Sequence, residues 1–183
     1  MSAPDEELML AYAGGDAGAF DALYARHRGP LYRFVLRSVK VRGEAEELFQ
    51  EIWIRVVESR SRYRPTARFT TWLYTIAHNR LVDHWRARGL ALVSLDDEES
   101  ALADPPAPPS SEPHRIAEGR EMLARFTEAL AALPTLQREA FLLHEEGGLT
   151  AVEIAGITGT NPEAAKSRLR YALAKLREAT GDD

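Results

Sequence analysis

Between Asp104 and Pro113 the chain carries five prolines in ten residues, and the acidic run Asp96-Asp97-Glu98-Glu99 lies just before them. Each proline removes a backbone donor, and clustered carboxylates repel one another. This stretch therefore predicts neither a helix nor a central strand but an extended linker. A linker over 92–115 divides the 183 residues into two pieces, 1–91 and 116–183. Composition is that of a globular protein, with 45% hydrophobic and 28% charged residues. No apolar run approaches the roughly 18 residues of a membrane span. The start, Met1-Ser2-Ala3-Pro4-Asp5-Glu6-Glu7, is acidic and lacks the layout of a signal peptide. A soluble cytoplasmic protein with no membrane association is expected. The absence of cysteine excludes disulfides, thiolate zinc sites and cysteine nucleophiles.

Both pieces predict helices, and no strand pattern occurs, so the expected fold is all-α. Leu8, Tyr12 and Ala13 precede a break at Gly14-Gly15-Asp16. Phe20, Leu23, Tyr24 and His27 recur at helical steps, and after Gly29-Pro30 the pattern resumes with Leu31, Phe34, Val35 and Val39. From Glu44 to Glu58, Leu48, Phe49, Ile52, Trp53 and Val56 form one stripe, with Glu46, Glu47, Gln50 and Glu51 facing outward. Arg64-Pro65-Thr66 interrupts, and a long helix then runs from about Thr70 to Arg88 and stops at Gly89. In the second piece a helix from near Ile116 ends at Leu133-Pro134. A short one over Gln137 to Glu145 closes at Gly147-Gly148. Thr150 with Glu153 three residues on predicts a capping box, for a helix bearing Val152, Ile154 and Ile157. Asn161 and Pro162 then predict the cap and first position of a helix whose stripe is Ala165, Leu169, Ala172 and Leu176.

The net charge of -5 hides a pattern. Arg60 to Arg88 holds seven arginines and one acid, Asp83, while Lys166 to Arg177 holds five basic residues and no acid. Two basic stripes on an acidic chain point to two separate polyanion contacts. The second stripe follows a short helix and a glycine-containing turn, the pattern of a helix-turn-helix whose second helix enters the DNA major groove. There Lys166, Arg168 and Arg170 could reach phosphates and base edges. The first stripe is interleaved with Tyr63, Phe69, Trp72, Tyr74 and Trp85, a mixture that suits unstacked bases, although such aromatics are commonly core residues. Asn79, Asp83 and Arg86 stand at steps of four and three, hence on one helix face.

Enzyme chemistry finds no support. The histidines His27, His78, His84, His114 and His144 are scattered and lack carboxylates at metal-ligand spacing. Walker, GxGxxG and GxSxG motifs are absent. No cofactor or metal is expected.

Three segments in order resemble the extracytoplasmic-function sigma factors of bacterial RNA polymerase. Glu44-Ala45-Glu46-Glu47-Leu48-Phe49-Gln50-Glu51 resembles region 2.2. Phe69-Thr70-Thr71-Trp72-Leu73-Tyr74-Thr75-Ile76-Ala77-His78-Asn79-Arg80, continuing to Asp83 and Arg86, resembles regions 2.3 and 2.4. Leu133-Pro134, Gln137-Arg138-Glu139-Ala140-Phe141-Leu142-Leu143, Leu149-Thr150 and Lys166-Ser167-Arg168-Leu169 resemble region 4. The resemblance implies a transcription initiation factor and assigns 1–91 to region 2, 92–115 to the linker and 116–183 to region 4. It implies that Glu47 and Gln50 meet the β′ coiled coil of core polymerase, with the β flap as a further contact. It implies that Asn79, Arg80, Asp83 and Arg86, with Arg60, Arg62, Arg64 and Arg68 in the preceding loop, melt and read the minus-ten element. Asn161, Lys166, Ser167, Arg168 and Arg170 would approach the minus-thirty-five element as duplex. Promoter DNA and an anti-sigma factor are the other implied partners. Members often carry Gly-Thr-Val where this chain has Glu163-Ala164-Ala165, and a basic residue at Tyr171, so the minus-thirty-five contacts depart from the family pattern.

Two other classes remain open from the residues. A self-sufficient helix-turn-helix regulator with an N-terminal sensing or dimerisation domain would shift duplex promoter DNA unaided. A sigma mimic that titrates an anti-sigma protein usually comes with a receiver domain, which this sequence lacks.

Overall fold

A computed structural model describes residues 3–89 and 115–181 of the chain. The segment expected to be an extended linker, 92–115, lies outside these apart from Arg115, as does His114. Among the described residues there are eight α-helices and no strand. They are α1 (Asp5–Ala13), α2 (Ala17–Val39), α3 (Arg42–Ser59), α4 (Phe69–Ala87), α5 (Arg115–Ala132), α6 (Thr135–Gly147), α7 (Ala151–Thr158) and α8 (Pro162–Thr180), with a short 3₁₀ turn at Arg60–Arg62. None of them is long and apolar enough to cross a membrane.

The caps explain most boundaries. Asp16 accepts from the backbone N–H groups of Gly18 and Ala19 and starts α2. Thr150 and Glu153 form the reciprocal capping box that opens α7. Asn161 accepts from the Ala164 N–H, and Pro162 fills the first turn of α8. The start of α4 is held differently, because the Phe69 N–H donates to a carboxylate oxygen of Glu6 in α1 at 2.6 Å. No local sequence pattern announces a cap supplied from 63 residues away.

Gly29-Pro30 does not interrupt the chain: α2 is one helix of 23 residues with Pro30 inside it. A proline within a helix costs about 3 kcal/mol. Burial offsets that here, since Leu23, Leu31, Phe34 and Val35 are all fully buried along the stripe that crosses Pro30. Val152 is a second departure, standing 64% exposed while Ile154 and Ile157 of the same helix are buried. In an eight-residue helix, Ile154, Ala155 and Ile157 define the inward face and leave Val152 outside.

The helices before residue 90 and those after 114 do not stand apart. α2 packs on α6, and α4 packs on both α6 and α7. Tyr74 of α4 lies against Gly147 at the end of α6, where an added Cβ would stand 3.2 Å from the Tyr74 ring and 3.1 Å from Leu149. Glycine is what allows this approach.

Candidate nucleic-acid and polymerase interfaces

Along α4 the residues Phe69, Leu73, Tyr74, Ala77, Leu81, Val82 and Trp85 are buried. Rotation by the helical period then leaves Asn79, Asp83 and Arg86 on the outside, and all three are exposed. Before α4, Arg60, Arg62 and Arg64 project from the 3₁₀ turn and the loop after it. Arg60 donates to the Val57 carbonyl and lies over the Tyr12 ring, while Arg64 donates to the Tyr63 carbonyl at 2.8 Å. These bonds orient the two arginines without neutralising them. Two other candidates are occupied by carboxylates. Arg80 is bound to Glu51 of α3, and Arg68 holds Glu153 of α7 through two bonds of 2.7 and 2.8 Å.

The aromatic side chains in this stripe are not an open stacking platform. Tyr63, Phe69, Tyr74 and Trp85 are 5% exposed or less. Trp72 is half-buried with its ring edge-on to Tyr63, centroids 5.0 Å apart. Their apolar area drives them inward, and Tyr63 is buried deeply enough for its phenol pKa to be pushed up to about 12. They position α4, and the arginines are what remains at the surface.

On α3 the buried stripe is Ala45, Leu48, Ile52, Trp53 and Val56. Glu47 and Gln50 are exposed on the other side. Ile54 follows Gln50 by one helical turn and is 55% exposed, so it shares their face. Sequence reasoning passed over Ile54. Its signal was an isoleucine standing off the buried stripe of its own helix. Arg80 with Glu51, and His84 and Arg88 with Glu44, tie α3 to α4 and keep the two candidate surfaces in fixed relation.

In the second half of the chain α7, Gly159 and α8 form the expected helix-turn-helix. Gly159 has φ 68°, a left-handed position that suits a residue without Cβ. Ala165, Ala172 and Leu176 of α8 are buried. Asn161, Lys166 and Arg170 are exposed, whereas Ser167 and Arg168 are half-buried. Glu163, the departure noted above, pairs with Lys166 at 2.8 Å, and the guanidinium of Arg170 lies over the exposed Tyr171 ring at 5.3 Å. Arg168 points to a cleft of about 270 Å³ that it lines together with His78, Val82 and Arg86 of α4. Among the described residues no three His, Asp or Glu side chains group as metal ligands. His27, His78 and His84 each bind one carboxylate, from Asp5, Glu139 and Glu44.

Comparison with known proteins finds two family models in order along the chain. Residues 23–90 match the family model Sigma-70 region 2, and residues 123–176 match Sigma-70, region 4. The chain is 33% identical over 174 residues to the RNA polymerase sigma factor CarQ of Myxococcus xanthus, covering 95% of this chain and 96% of that one. It is 32% identical over 178 residues to the ECF RNA polymerase sigma factor SigK of Mycobacterium tuberculosis, covering 97% and 94%. Among solved structures it resembles CnrH, determined in complex with the cytosolic domain of CnrY, at 25% identity over 98% of each chain and a TM-score of 0.67. RpoE of Bartonella quintana, solved with the anti-sigma factor NepR, shares the fold at 23% identity, 90% and 98% coverage and a TM-score of 0.66. Nothing in these matches favours a self-sufficient regulator. With both regions matched in order and such relatives spanning nearly its whole length, the chain belongs to the extracytoplasmic-function sigma factors, non-enzymatic initiation factors that direct RNA polymerase to promoters.

Proposed function

We propose that residues 1–91 bind core polymerase and open the minus-ten element, that 116–183 bind the minus-thirty-five element, and that 92–115 join them. The observation that carries this is the ridge of Asn79, Asp83 and Arg86, exposed on a helix whose remaining faces are packed. A polar ridge on a rigid helix is suited to hold one base by its edge, because Asn offers a donor and an acceptor together. Arg60, Arg62 and Arg64 beside it supply cations for the strand backbone, and Arg68 and Arg80 join them when their carboxylate partners are displaced. Asn161, Lys166, Ser167, Arg168 and Arg170 serve the duplex contact of α8. Glu47 and Gln50, with Ile54 as the apolar centre, form the face for the β′ coiled coil. The protein acts in the cytoplasm, where polymerase is. CnrH was solved with the cytosolic domain of CnrY bound and RpoE of Bartonella quintana with the anti-sigma factor NepR, which supports a protein regulator of the anti-sigma kind for this chain as well.

Run-off transcription with core polymerase and a promoter from the native gene neighbourhood tests the assignment. Asn79→Ala is expected to impair a duplex promoter far more than a pre-melted one. Equal defects on the two templates would make Asn79 a structural residue. Glu47→Lys with Gln50→Lys is expected to reduce co-purification with core enzyme while moving stability by only about 0.5 kcal/mol, as exposed substitutions do.

A further inference from the structure

α1 carries none of the residues assigned above to polymerase or to DNA, and its buried side chain is Met9. Its first turn instead holds two adjacent carboxylates that reach different helices. Asp5 accepts from Arg26 of α2 at 2.5 Å and bonds the His27 ring at 2.7 Å. Glu6 accepts from the backbone N–H of Phe69, the first residue of α4, at 2.6 Å. Successive side chains of a helix point in different directions, so one turn can brace two neighbours.

The start of α4 has no local substitute for the Glu6 bond. Arg68 at the cap position supplies no side-chain acceptor, and the first turn of α4 contains no acid. The first N–H groups of a helix lack partners within it and carry partial positive charge, and a carboxylate answers both needs. The Phe69 side chain is fully buried, its ring 5.1 Å from that of His27 and 6.4 Å from that of Tyr63. The Tyr63 phenol, raised first by burial, is raised further by the charges of Glu6 and Asp5, which sets both carboxylates beside this cluster. Side chain and N–H of Phe69 are therefore both gripped from α1 and its surroundings.

Phe69 is the joint between the loop bearing Arg60, Arg62 and Arg64 and the helix bearing Asn79, Asp83 and Arg86. At about 1.5 Å per residue, Asn79 stands about 15 Å and Arg86 about 25 Å along α4 from this joint. A swing of about 3° there moves Arg86 by about 1 Å, roughly twice the tolerance of about 0.5 Å within which a binding group must be held. We infer that Glu6 is a positioning residue for promoter opening: its hydrogen bond to the Phe69 N–H fixes the joint that sets the loop arginines against the minus-ten ridge. Glu6 acts through Phe69 and not on the strand itself. This rests on the assignment of α4 to the minus-ten element.

The test is run-off transcription by core polymerase with the full chain, on a duplex promoter and on the same promoter pre-melted at its minus-ten element. Glu6→Ala is expected to lower the duplex-to-pre-melted ratio by about tenfold, within the range that a misplacement of about 1 Å costs a positioned site. Glu6→Gln, whose amide oxygen still accepts from the Phe69 N–H, is expected to recover most of that loss. Asp16→Ala removes the cap of α2, a loss of stability of the same kind away from α4, and is expected to leave the ratio unchanged. The inference is overturned if Glu6→Ala leaves the ratio where it was, if Asp16→Ala lowers it equally, or if Glu6→Gln is as defective as Glu6→Ala. Should Glu6→Ala not fold, Glu6→Asp is read in its place. It keeps the charge but draws the acceptor back by one methylene, so it is expected to lower the ratio too, and an unchanged ratio overturns the inference. Asn79→Ala, run alongside, separates the two ways of failing. If neither Asn79→Ala nor Glu6→Ala moves the ratio, the minus-ten assignment of α4 fails; if only Asn79→Ala does, the role of Glu6 alone fails.

Discussion

In the stripe from Arg60 to Arg88 three of the seven arginines are held by carboxylates distant in sequence: Arg68 by Glu153, Arg80 by Glu51, Arg88 by Glu44. In the stripe from Lys166 to Arg177 the partners are one helical turn away, Glu163 for Lys166 and Glu178 for Lys175, and both pairs stand largely in solvent. Exposed pairs of the second kind are worth about 0–1 kcal/mol and give way easily to a phosphate. The first kind helps to fix helix to helix, so only some of its arginines are free to serve DNA. Equal charge density in the two stripes therefore conceals unequal availability. A basic residue is better judged by what it must release than by its neighbours in sequence.

The largest effect should come from the aromatic residues between the first set of arginines. Phe69→Ala is expected to destabilise the protein by about 3–5 kcal/mol in urea unfolding, as for other buried aromatics. An unchanged midpoint with weakened single-strand binding would restore the stacking platform that burial excludes. Next in size, Arg62→Ala with Arg86→Ala is expected to weaken non-template-strand capture on every promoter. Lys166→Ala with Arg170→Ala should weaken only promoters that depend on the upstream element. Each phosphate contact removed should lower the salt slope of binding by about one. Identical behaviour of the two sets would erase the distinction between the stripes.

A smaller effect sharpens it. Glu163→Gln frees Lys166 and removes a negative charge near the duplex, so upstream-element binding should rise about two- to fivefold in a mobility-shift titration. Unchanged affinity would place Lys166 away from the phosphates. The smallest effect is seen in acid. The folded pKa of Glu153, about 2, lies below its ordinary 4.5. Its stabilising contribution is therefore complete above about pH 4.5 and is lost as pH falls towards 2. Fluorescence transfer between one label on each region should report this loss, and Glu153→Gln should remove that part of the titration.

Much of the fold was legible because its signals are local. The Thr150–Glu153 box, the Asn161-Pro162 start and the Asn79, Asp83, Arg86 face depend on residues within one or two turns of each other. Pro30 misled because tertiary burial of Leu31, Phe34 and Val35 outweighs a local breaker, and no periodicity reports how strongly a stripe will be buried. The aromatics were ambiguous because the same ring serves a core or a base. Glu146 was passed over because its partners, Arg33 and Arg37, lie more than a hundred residues away. An apolar pattern tells which side of a helix is covered but not by what.

Gly147 gives the molecule a place where the fit between its two halves is set by size alone. The residue touches neither polymerase-facing nor DNA-facing side chains, yet its missing Cβ is what lets α6 come flush against the Tyr74 ring. A graded series at this one position, from glycine through alanine to serine and valine, acts like a set-screw between the two halves. Each step forces the ring and the Leu149 side chain a little further from the backbone. The charges on both halves would stay constant while the closeness of α6 to α4 changed step by step.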